Sequence, residues 1–218
     1  MAGIQVEIKG LSLLQKQIGA LDAAGMAKVL KASVNKGVKA ARTEASAHIT
    51  AKFTVKKKSL FTGATSRKKS DKLQIILANN GYFPEAMLYA KGGRLEGLRY
   101  TEFKHSVTKT GVNVWEYRGR KGSLKTAWKM KFPNGSAEGI FWRAAAGSFP
   151  FSGKKRTPQQ YRAMPSKYRK PVEHLRGFSA AQMLDEGTGV EKARKRGEEV
   201  FLAEVDRLME LRLNGTIF

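Results

Sequence analysis

Glu102-Phe103-Lys104 carries a spacing that could do chemistry. An acid and a lysine two positions apart on one strand can hold a divalent cation and polarise the water it binds, as metal-dependent nucleases do. Such a site needs a further acidic ligand upstream, for which Asp71 and Glu85 are the candidates. A match of three residues arises by chance in a lysine-rich chain, so a nuclease is the weakest of the readings weighed. His48, His105 and His174 stand far apart and form no HxxxH or HxE pattern. His48 falls on or beside an apolar helical stripe and is expected to be a packing residue. The 22 glycines include no phosphate-binding GxxxxGK[ST], no strand–GxGxxG–helix unit and no GxSxG elbow. With no cysteine there is neither a disulfide nor a thiolate metal site. The expectation is a protein that is not an enzyme and has no cofactor.

Charge is the stronger signal. The 218 residues carry a formal net charge of +23. Repulsion among that many like charges opposes compaction, so a polyanionic or acidic partner is expected. The excess is segmental. Asp185 to Arg212 holds eight acids against six bases, which leaves +25 on the remainder. Three blocks concentrate it: Lys52 to Lys72, Arg118 to Lys131, and Arg143 to Arg176. A single lysine is ordinary solvated surface, but blocks nearly devoid of acids point to an interaction surface. The candidate contact residues are Lys56, Lys57, Lys58, Arg67, Lys68, Lys69, Arg120, Lys121, Lys154, Lys155, Arg156, Arg162, Lys167, Arg169 and Lys170. They could neutralise phosphates without reading bases, because no zinc finger, RNA-recognition aromatic pair or helix-turn-helix accompanies them. The same charges could dock an acidic protein. No apolar run approaches the roughly 18 residues of a membrane span, so no membrane partner is expected.

The elements that must carry these residues follow from periodicity. Leu30, Val34, Val38, Ala41, Ala45, Ile49 and Phe53 recur at the helical period, predicting one helix from Met26 to Phe53, roughly 40 Å long. Such a stripe needs a sheet or partner helices across the core. Ile4 to Ile8 alternates as a strand, and Leu11, Leu14, Ile18 and Leu21 mark a short helix. Lys56 to Leu60 is a basic run, Thr62-Gly63 with Thr65 to Ser70 reads as a loop, and strands are expected at 73–78 and 86–90. Val107-Thr108 and Val112 to Tyr117 form a hairpin around Lys109-Thr110-Gly111. The patch Leu124 to Phe132 fits neither period, and Ile140 to Arg143 reads as a further strand. Ser179 is a candidate N-cap for a helix over 180–184, and Val190 to Leu211 predicts a last amphipathic helix.

Strands between runs of helices indicate the α+β class: an antiparallel sheet with a long N-terminal helix and C-terminal helices packed on it. The expected divisions are a core over residues 1–146, a basic, proline-punctuated loop over 147–178, and C-terminal helices over 179–218. Those helices would pack on the core or on a neighbouring subunit. A loop of that length within a compact domain is usually functional.

Several segments together resemble the phage minor tail protein Z family, the tail-completion proteins of long-tailed bacteriophages and prophages. They are Ile4 to Gly10, Asn35 to Thr43 on the long helix with Phe53 to Lys56, and Gly93 to Leu98 with Phe103. Gly111-Val112, Leu124 to Trp128, Gly139 to Arg143, and Lys170 to Ser179 follow in order. The similarity spans nearly the whole chain and rests on the order and spacing of these pieces. The chain departs from the pattern over Phe149 to Arg169, and at Trp128 and Phe178. The resemblance implies a structural virion protein at the head-proximal end of the tail. It would form a ring, usually sixfold, that completes the tail tube and meets the head connector. Its expected partners are its own copies, a tube or terminator protein, connector proteins and the end of the packaged DNA. A sequence-nonspecific DNA-binding protein is the alternative.

Overall fold

In a computed structural model of the chain, residues 3–6, 23–61, 71–79, 84–92, 97–131, 138–143 and 172–213 are described. The short helix expected over 11–21 and most of the basic stretch 147–178 lie outside them. By contact the chain groups into two units, Met1–Leu98 with Phe178–Phe218, and Arg99–Gly177. This grouping cuts the core expected over 1–146, because the described strands after Leu98 pair only with one another.

Helix α1 (Ala23–Lys52) organises the first unit. Its alanines, lysines and single arginine favour the helix, and no proline interrupts it. Val29, Leu30, Val34, Val38, Ala41, Ala45 and Ile49 are buried along one side, with Phe53 closing the stripe. Ser33 and Ser46 are buried among them and satisfy their hydroxyls on the helix's own carbonyls, at Val29 (2.9 Å) and Thr43 (2.8 Å).

Three strands, β1 (Gly3–Val6), β2 (Leu73–Ile76) and β3 (Met87–Lys91), form an antiparallel sheet in the order β1-β3-β2. Leu73 lies opposite Ala90 and Ile75 opposite Leu88, and all four are buried, so one face meets the helices. Asn35 ties helix to sheet, accepting the Ala78 N–H at 2.8 Å.

The last helix, α4 (Gly189–Leu213), runs antiparallel to α1. Gly25 meets Arg212, Lys36 meets Glu204, and His48 meets Gly189, so the two residue numbers sum to nearly the same value along the seam. A Cβ on Gly25 would fall 1.5 Å from an Arg212 guanidinium nitrogen, so only glycine leaves that group its place. Before α4, Ser179 caps α3 (Ala180–Asp185) in a reciprocal box with Gln182. The α+β class expected from the element order is the class observed.

The basic run after Phe53 contains a single helical turn, α2 (Lys57–Leu60), in which Leu60 is fully buried while the lysines stay outside. The loop expected over 62–70 lies outside the described residues.

The described residues of the second unit form two three-stranded antiparallel sheets. The first is β4 (Lys104–Thr108), β5 (Gly111–Trp115) and β6 (Gly122–Lys125), in that order. The second is β7 (Trp128–Lys131), β8 (Glu138–Arg143) and β9 (Val172–His174). Among the unit's described residues, Phe103, Val112, Val114, Ala127, Ile140 and Phe141 are the buried apolar ones. The patch 124–132 is thus two strands meeting at Thr126, whose φ of 64° turns the chain. Residues 172–174, expected within the basic loop, instead form a strand antiparallel to β8, with His174 opposite Phe141.

Candidate docking surfaces

Five of the candidate basic residues are described. Lys56, Lys57 and Lys58 are exposed on and before α2. Arg120 and Lys121 are exposed in the β5–β6 connection. Arg67, Lys68, Lys69, Lys154, Lys155, Arg156, Arg162, Lys167, Arg169 and Lys170 lie outside the described residues.

In the first unit, the turn that carries Lys56 to Lys58 is anchored from within. Arg42 is only 2% exposed, and its guanidinium carbon lies 4.2 Å from the centroid of the Phe61 ring. Burial lowers the Arg42 pKa, and the Asp71 carboxylate opposes that shift. The Lys72 N–H donates to the Leu60 carbonyl at 2.8 Å, so the chain on either side of 62–70 is brought together. Arg42 is therefore a structural cation, while the neighbouring lysines keep their charges in water.

Charge is most concentrated in the second unit. Its 79 residues contain eighteen Lys and Arg against four Asp and Glu, a net of +14 out of the +23. Three of the four acids have partners inside the unit. Glu102 accepts the Arg99 backbone N–H at 2.7 Å. Glu116 takes a hydrogen bond from the Tyr100 hydroxyl, and burial first, then Glu116, pushes the Tyr100 pKa up to about 12. Glu138 pairs with Lys129 at 2.6 Å, which holds its pKa below the ordinary value.

The register of β4-β5-β6 sorts the cations. Val112 and Val114 are buried on one face, opposite Val107 and His105 of β4 and Leu124 and Gly122 of β6. The other face is polar and carries three rows. Lys104 stands opposite Trp115; Ser106, Asn113 and Ser123 lie across the middle; Thr108, Gly111 and Lys125 end the sheet. Lys104, Ser106, Ser123 and Lys125 are exposed and Trp115 is half-exposed. The ammonium groups of Lys104 and Lys121 lie 5.4 and 5.9 Å from the centroid of the Trp115 ring, within cation–π range. Lys121 reaches it from a turn bent at Gly119, where φ is +82°.

Trp115 and Lys125 are not among the residues singled out from sequence, and Lys104 is singled out there only in the acid-x-lysine triplet, not as a contact residue. The alternation from Val112 to Tyr117 puts Trp115 opposite the apolar side of its strand. Pairing Lys104 to it requires the hairpin register, which sequence does not supply.

The acid-x-lysine triplet takes a different form from the strand pair expected. Glu102 ends a 3₁₀ turn (Tyr100–Glu102) and caps it, whereas Lys104 opens β4 and points towards Trp115. Phe103 between them is buried. Among the described residues no group of three or more His, Asp or Glu could hold a metal ion. Asp71 is buried and Glu85 is exposed in the first unit.

The histidines sit in packing positions. His48 is buried and its Nε2 lies 3.1 Å from the Glu186 carbonyl. His174 packs on Phe141 at 5.2 Å, and burial, then Arg176 and Arg99, lower its pKa. His105 lies 3.0 Å from the Phe103 carbonyl through Nδ1.

A shallow groove of about 560 Å³ follows α4, lined by Lys36, Arg196, Val200, Ala203, Glu204 and Arg207. Its centre is Glu204, 7% exposed. Arg207 grips both carboxylate oxygens at 2.7 and 2.9 Å, and Lys36 approaches from α1 at 2.5 Å. Arg207 first, then Lys36, depress the Glu204 pKa to about 2. Arg196 pairs with Glu199, which also lines the groove, at 3.3 Å on the same helix, and of these ion pairs Lys36–Glu204 is the one that crosses the helix seam.

No described helix is long and apolar enough to cross a membrane. Comparison of the chain with protein-family models, with curated proteins and with solved structures returned no match.

Proposed function

We propose that this chain acts by assembly: a structural tail-completion subunit of a long-tailed bacteriophage, seated at the head-proximal end of the tail by its basic unit. The observation that carries the reading is the partition of charge. One unit of 79 residues holds +14, and three of its four carboxylates are engaged with their own unit. A net positive surplus of this size favours an outside polyanion or acidic surface. The resemblance to the minor tail protein Z family names the setting. There, copies of the chain would form a ring, probed by mass in solution and in particles. The ring would meet an acidic tube, terminator or connector subunit, or the end of the packaged DNA.

The experiment is genetic and biochemical. Replacing Lys154, Lys155 and Arg156 by glutamate in the phage or prophage that encodes the chain should leave a folded protein and lower the yield of completed particles. Purified wild-type protein added to the defective lysate should restore it. Normal infectious yield from the triple variant, or mature particles that lack the chain, would overturn the reading.

A further inference from the structure

We propose that the polar face of β4-β5-β6 is a binding platform for single-stranded nucleic acid, with one base stacked on Trp115 and its phosphates held by Lys104, Lys121 and Lys125. The inference goes beyond the role in assembly and stands on its own geometry.

The face has the two parts such a site requires, cations along a track and an aromatic ring on which a base can lie. Lys104 and Lys121 flank the ring at one end. Lys125 marks the other end, four residues along the pleat from Lys121, or about 13 Å. Between them Ser106, Asn113 and Ser123 form a row of small polar groups opposite one another across three strands. These offer donors and acceptors to base edges without filling the space above the sheet.

The chemistry favours a nucleic acid over an acidic protein. Carboxylates would need only the ammonium groups and would gain nothing from a half-exposed indole between them. A base can use both. Cation–π attraction is weak at exposed positions, so a base can replace an ammonium over the ring. The released lysine then reaches the phosphate of the same nucleotide. An unpaired strand is required because a duplex keeps its base faces stacked inside.

The test uses the full chain and the fluorescence anisotropy of a labelled thymidine oligomer of about fifteen nucleotides. A duplex of equal length and poly-glutamate serve as competitors. Trp115→Leu should weaken binding of the oligomer by roughly 5- to 150-fold, the loss expected of one stacked base. Trp115→Phe, which keeps a π face, should retain most of the affinity. Replacing Lys104 and Lys121 by serine should lower the slope of log affinity against log salt by about 1.4, two single-strand phosphate contacts. Both lysine positions are on the surface, so this variant reports on binding even if changes at Trp115 disturb the fold. Equal affinity of wild type and Trp115→Leu, with native circular dichroism, would overturn the proposal. So would poly-glutamate competing as well as the oligomer, which would assign the face to an acidic protein. Either result leaves the particle-completion assay, and the assembly role, untouched.

Discussion

Glu204→Gln is the substitution whose effect can be worked furthest. The carboxylate bridges α1 and α4, with Arg207 and Lys36 as its partners. Its pKa falls from the ordinary 4.5 to about 2. At 1.36 kcal/mol per pH unit that displacement corresponds to an upper bound of roughly 3.4 kcal/mol. The Lys36 and Arg207 side chains are 54% and 52% exposed, so water and salt screen the attraction. About 0.5–1.5 kcal/mol is the expected net contribution of the two pairs together. Because the folded-state pKa is depressed, the contribution is present above the unfolded value near 4.5. It is lost as pH falls through the folded value near 2. Urea unfolding followed by far-ultraviolet circular dichroism, which reports chiefly on the helices, should therefore show the variant less stable by that amount at neutral pH. The gap should shrink as the pH approaches 2. A gap of unchanged size in acid would mean that lost packing, and not the ion pairs, is responsible. No gap at neutral pH would refute the bridge itself.

Two substitutions probe the second unit. Gly111→Ala should destabilise it by about 1–3 kcal/mol, because the new Cβ would fall 2.2 Å from the Leu124 carbonyl oxygen, a backbone atom that moves only with its strand; a tryptophan-fluorescence melt at or above the wild-type midpoint would contradict this. Thr126→Asn should stabilise the same unit by about 1 kcal/mol. A β-branched residue is strained at its φ of 64° and asparagine tolerates that region. A lower melting midpoint in the variant would show that the threonine is unstrained or makes a contact that outweighs its conformation.

What sequence reveals of this chain depends on whether the signal is local. The stripe on α1 is legible because seven apolar residues repeat on one face, and all seven are buried. The β4–β5 hairpin is legible from its turn and its alternation. The junction of β6 and β7 is hidden because a threonine, not glycine or asparagine, adopts the left-handed conformation there. Strand β9 is hidden as well, since three residues after a proline become a strand only when β8 lies beside them. The candidate site divides in the same way. Basic blocks are visible as composition, but Lys104 and Trp115 become neighbours only through strand register.

The Leu98 N–H donates to the Phe178 carbonyl at 3.1 Å, and Arg99 bridges Arg176 on the other side of that junction. The chain thus leaves the first unit and re-enters it at one point, as in a domain inserted into a host. An unstructured connection of 79 residues would cost ~1.8 kcal/mol more to close than one of about ten, at about 0.6 kcal/mol per doubling. Once the inserted unit has folded with its own ends together, that surcharge disappears. An insert that folds first would therefore let α4 find α1 at a lower entropic cost.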